Sequence, residues 1–66
     1  MSIDPFFALR DRAYDLADTG RYKDWNQIAF ALQAEGFVAA LITRLDSDGL
    51  AAMMVTRCCA QARARA

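Results

Sequence analysis

The sequence predicts an all-α fold, a compact bundle of four short helices at about residues 4–19, 24–35, 38–45 and 49–63. Three observations predict it. Apolar residues recur at intervals of three and four along the chain, and no alternating strand pattern competes. Four such stretches are separated by stop signals at Gly20, at Gly36 and at the "DSDG" of residues 46–49. The single proline, Pro5, stands where a helix would begin. "FVAALI" (37–42) has the length of a buried strand, but the chain offers nothing to pair with it. The whole of 1–66 is expected to form one helical domain.

The first helix opens at Asp4-Pro5. Asp caps well, and Pro at the first helical position loses only an N–H that has no intrahelical acceptor. Phe6, Leu9, Ala13, Leu16 and Ala17 form its apolar stripe, and Gly20 supplies the left-handed residue that ends it. In the second helix Asp24 is the cap, with Gln27 three residues on in a capping-box arrangement. Trp25, Ile28, Ala29 and Leu32 make the stripe, and Gly36-Phe37 fits a Schellman ending. The third helix presents Val38, Leu41, Ile42 and Leu45, and "DSDG" ends it and caps the next. The fourth presents Leu50, Met53, Met54 and Cys58, with Gln61 or Ala62. Arg57, Arg63 and Arg65 toward its end complement the helix dipole.

Composition bears on function. A chain of 66 residues buries only about 60% of the surface its unfolded form exposes and is marginal alone, yet 56% of its residues are hydrophobic. So short a chain cannot hide that many apolar side chains, so a patch covered by another subunit or partner is expected. The fourth helix is the candidate surface, through Leu50, Met53, Met54, Val55, Cys58 and Cys59. A homo-oligomer, with a dimer favoured, is the expected assembly. An unidentified protein partner is the other way to cover the patch.

Eight basic residues balance eight acidic ones, which argues against a strong nonspecific nucleic-acid footprint. The balance is uneven along the chain. Residues 1–20 set Asp4, Asp11, Asp15 and Asp18 against Arg10 and Arg12, whereas residues 49–66 carry only Arg57, Arg63 and Arg65. An acidic front and a basic tail suggest mutual pairing, within or between chains. Asp11, Asp15 and Asp18 share one helical face, which reads as a solvated face more readily than as a cation site.

The chain has no His, one Lys and one Glu, so the usual general base, most metal sites and most nucleophilic triads are missing. It is not expected to be an enzyme, and no cofactor or metal is expected. Cys58 and Cys59 are adjacent, about 3.8 Å apart at Cα, and their side chains diverge by about 100° on a helix. They should not bridge each other, and two thiolates do not complete a zinc site. One Cys reads as core and the other as interface, and a metal or thiol role shared between two chains is a distant third reading. The opening "MSIDPFFALRDR" has no basic segment followed by a long apolar core, and no run approaches about 18 apolar residues. The expected setting is the cytoplasm, with both thiols reduced and no membrane partner.

Trp25, Ile28, Ala29, Leu32, Gly36, Leu41 and Ile42 together resemble the small trihelical helix-turn-helix domains, including those of recombinases, over residues 24–45. That resemblance implies a second reading, a DNA-binding regulator with Thr43 and Arg44 in the groove and Arg21, Lys23 and the tail arginines on phosphates. The chain departs from the motif in two ways. Gly36 lies four residues past Leu32, where the tight form has it directly after. The positions where base readout needs Arg, Lys, Asn or Gln hold Val38, Ala39 and Ala40. Nucleic acid is therefore the alternative partner and not the favoured one. Taken whole, the chain is similar to small single-domain bacterial proteins, a likeness that implies no function.

Overall fold

The computed structural model describes residues 4–65; residues 1–3 and 66, the outermost parts of the expected domain, lie outside them. Four helices follow in order: α1 (Pro5–Asp18), α2 (Trp25–Ala34), α3 (Ala39–Ser47) and α4 (Gly49–Arg65). Among the described residues there is no strand, and "FVAALI" divides between a loop and α3. The Cα radius of gyration, 11.3 Å, is close to the roughly 11 Å expected of a folded chain this long.

The predicted punctuation largely holds. Asp4 accepts a hydrogen bond from the Phe6 N–H at 2.8 Å, with Pro5 as the first helical residue. Asp24 accepts from the Gln27 N–H at 3.2 Å. The reciprocal half of the capping box is displaced by one residue, since the Gln27 side chain accepts from the Lys23 N–H at 2.7 Å. At the end of α2 the Phe37 N–H donates to the Leu32 carbonyl and the Gly36 N–H to that of Gln33. That is the Schellman pair, with Gly36 at φ +95°. Asp48 alone joins α3 to α4: its N–H donates to the Leu45 carbonyl and its carboxylate accepts from the Ala51 N–H. Val38 precedes α3 without a side-chain cap, because it has no oxygen to offer.

The core draws on all four helices. Leu9, Ala13, Leu16 and Ala17 are buried from α1, Trp25, Ile28 and Leu32 from α2, Leu45 from α3, and Val55, Cys59 and Ala62 from α4. Phe6, Ala29, Phe37, Leu41, Ile42 and Cys58 pack against them, partly buried. Two expectations are corrected here. Val38 is exposed and sits outside the stripe of α3. Helix α4 is turned so that Val55, Cys59 and Ala62 face inward, while Leu50, Met53 and Met54 face out. The reason is closeness. A Cβ built on Gly20, at the carboxyl end of α1, would lie 3.3 Å from the Ala62 carbonyl oxygen. Helices that approach so near admit Ala, Cys and Val between them, and larger Leu and Met side chains are displaced to the other face.

Among the described residues, two ion pairs tie the helices. Arg12 on α1 donates to Glu35 at the end of α2 through one edge of its guanidinium, Nε to Oε1 at 2.9 Å and Nη2 to Oε2 at 2.8 Å. This hydrogen-bonded guanidinium holds the Glu35 carboxyl below its ordinary pKa. A carboxyl lowered in the folded state stabilises above its unfolded pKa, and the contribution is lost as pH falls through the folded value. The difference in melting temperature between wild type and Glu35→Gln should thus be present at neutral pH and vanish well below about pH 4, in the lower carboxylate range. A gap that widens in acid would contradict it. Arg65 pairs with Asp18 at 2.5 Å, so the expected link between acidic front and basic tail forms within the chain there. Among the described residues, no ion pair forms at Asp11 or Asp15.

Candidate functional site

Trp25 explains why α2, α3 and α4 hold their relative positions. Its backbone N–H donates to the Thr56 hydroxyl at 3.0 Å, and its indole N–H donates to the Asp46 carboxylate at 2.7 Å. The start of α2 is thereby fastened to the middle of α4 and to the end of α3. A buried indole needs such a partner for its N–H. With α4 locked in this rotation, the side of the helix away from Val55 and Cys59 faces outward.

On that outer side Leu50 is 66% exposed, Met53 57% and Met54 39%. Their spacing of i, i+3 and i+4 places them together on one face. The same face continues through Arg57, Ala60, Gln61 and Ala64, all exposed. Gly49, at the start of the helix, has open space where a side chain would stand. The surface is therefore three large apolar side chains followed by one cation, one Gln and two Ala residues. It has no acidic side chain of its own between Gly49 and Arg65. Asp46 and Asp48 stand just before it, both exposed.

Of the six residues expected to make an interface, Leu50, Met53 and Met54 lie on this surface and Cys58 is at its margin, half-buried. Val55 and Cys59 do not belong to it, because both are wholly buried. Burial, with the neighbouring Cys58 second, also raises the Cys59 thiol above its ordinary pKa, which keeps it protonated and unreactive. Both thiols are free. Among the described residues, no three His, Cys, Asp or Glu side chains come together as a metal site.

The four residues of the DNA-reading alternative fall in two places. Arg44 stacks its guanidinium over the Phe6 ring, 4.1 Å from the centroid, at the amino end of α1. Thr43 precedes it, exposed. Arg21 and Lys23 follow the carboxyl end of α1, roughly 20 Å away by the rise of a helix of that length.

One feature was not anticipated. Phe30 on α2 is 77% exposed and lines an open groove of about 610 Å³ together with Arg21, Tyr22, Gln27, Ala31, Ala34 and Glu35. The signal was in the spacing. Phe30 follows Ile28 by two residues, about 200° around the helix, and so must point away from a stripe that Ile28 defines. Among the described residues, no helix is long and apolar enough to cross a membrane. Comparison with known proteins gives no match: no family model fits the chain, and no curated protein or solved structure is similar to it.

Proposed function

We propose that this protein is a non-catalytic interaction module that self-associates through the outer face of α4. The observation that carries the reading is the Leu50, Met53 and Met54 cluster, exposed on a helix whose opposite side is already committed to the core. Side chains of this size gain about 1.5–3 kcal/mol each on full burial. Covering their exposed fractions on two chains is worth roughly 5–10 kcal/mol by the same scale. Association costs about 4–15 kcal/mol in lost freedom. The gain exceeds the cost only toward the low end of that range, by up to about 6 kcal/mol, which places the dissociation constant at tens of micromolar or weaker. Met side chains suit such a surface because they adapt to what they meet. The expected setting is the cytoplasm.

Sedimentation equilibrium tests this. The wild type should shift from monomer to dimer mass across the micromolar range. Met53→Glu should remain monomeric with an unchanged helical spectrum, since the substitution adds a charge to an exposed position. A wild type that stays at monomer mass through the high-micromolar range, with cooperative unfolding, refutes the proposal. The groove-reading alternative is separated from it by a duplex-DNA titration in low salt, where binding that weakens steeply with salt would support DNA recognition instead.

A further inference from the structure

We infer that the α4 faces pair antiparallel, about a two-fold axis beside Met53, so that Arg57 of each chain closes on Asp46 and Asp48 of the partner subunit. The inference rests on the self-association proposed above and adds the direction and register of the pairing.

The charge order along α4 carries it. In a two-fold pairing of parallel helices every residue meets its own copy. Arg57 would face Arg57, and the acidic entry to the helix would face itself. Like charges so placed oppose association. Antiparallel pairing reverses this. The apolar cluster of Leu50, Met53 and Met54 sits at one end of the helix, not at its middle, and it covers its own copy only if the axis passes beside it. An axis there sets residue 57 against Gly49, at the start of the partner's α4. Gly49 has open space that leaves room for a guanidinium, and at the junction just before it stand Asp48 and, in the last turn of α3, Asp46, both exposed. Each carboxylate uses one oxygen within the chain, Asp46 toward Trp25 and Asp48 toward the Ala51 N–H, and each keeps its other oxygen. Arg57 is exposed and forms no ion pair among the described residues. Opposed helix dipoles favour the same arrangement.

Cysteine cross-linking reads the direction. In a Cys58→Ser background, which removes the half-buried thiol and leaves only the buried Cys59, Met53→Cys and Ala60→Cys are oxidised separately with copper phenanthroline. Residues 53 and 60 are seven apart and share a face. Antiparallel pairing keeps the two copies of residue 53 within reach of a disulfide, whereas the copies of residue 60 lie about 20 Å apart along the helices. Met53→Cys should run as a covalent dimer on a non-reducing gel, and Ala60→Cys as a monomer. Arg57→Glu should weaken the dimer roughly tenfold at low salt and less at high salt, as expected of a screened charge contact. Efficient cross-linking of Ala60→Cys, or a dimer in sedimentation that leaves Met53→Cys uncrosslinked, overturns the antiparallel register while leaving self-association standing. A wild type that is monomeric in sedimentation overturns both.

Discussion

Leu45→Ala is expected to remove about half of the stability of the domain. Leu45 is the only residue of α3 that is buried, and it is wholly so. Truncating a buried Leu costs about 2–5 kcal/mol, depending on how far the cavity collapses. A domain of this length has in total on the order of 3–10 kcal/mol of stability. The loss is a large share of that, and it falls on a helix whose other apolar contacts, Leu41 and Ile42, are only partly buried. The other contacts of α3 are the partly buried packing of Leu41 and Ile42 on the core, the Trp25–Asp46 hydrogen bond and the stacking of Arg44 on Phe6, and all of them depend on Leu45 keeping the helix in place. Urea unfolding, followed by circular dichroism and by the fluorescence of the single Trp, gives the number. Leu50→Ala is the control, with a change within about 0.5 kcal/mol for an exposed side chain, measured at concentrations low enough that association does not contribute. If Leu45→Ala behaves like Leu50→Ala, α3 is not part of the cooperative core.

The contrast between α1, α2 and α4 shows what in this fold is readable locally. In α1 and α2 an acidic cap fixes the start, a glycine fixes the end, and the far side is mostly polar, Phe7 and Phe30 apart, so that one apolar stripe stands out. Leu9, Ala13, Leu16 and Ala17, and likewise Trp25, Ile28 and Leu32, were therefore legible as core. In α4 the pattern is degenerate. Leu50, Met53 and Met54 lie on one side and Val55, Cys59 and Ala62 on another, and both sets keep helical spacing. Hydrophobicity alone favours burying the larger set. What decides otherwise is the close approach of α1, visible only where Gly20 meets Ala62. The surface proposed for self-association follows from the same choice, because the large side chains excluded from the tight contact are the ones left outside. The role of Trp25 was hidden for a related reason. Its partners Thr56 and Asp46 lie 31 and 21 residues along the chain, beyond any local pattern.

Gly20→Ala should be clearly more destabilising than Gly36→Ala, although both glycines end helices in the left-handed region. Gly20 has φ +76° and Gly36 φ +95°. An L-residue in that region costs about 1–2 kcal/mol, and this part is common to the two. Their surroundings differ. Nothing lies within 4 Å of a Cβ built on Gly36, whereas one built on Gly20 would meet the Ala62 carbonyl oxygen at 3.3 Å. That oxygen belongs to the backbone of α4 and cannot swing aside as a side-chain end can. Relief requires α1 and α4 to separate by a few tenths of an ångström at a contact where buried side chains are small and densely packed. The expected excess for Gly20→Ala is about 1–3 kcal/mol, the range of an overpacked core position, or a further fall in melting temperature of several degrees in a domain this small. Thermal unfolding of the two variants side by side isolates the packing contribution, since the conformational penalty largely cancels between them. Equal losses would mean that α1 and α4 tolerate separation at this point, and with it that the small residues of α4 are not what sets its rotation.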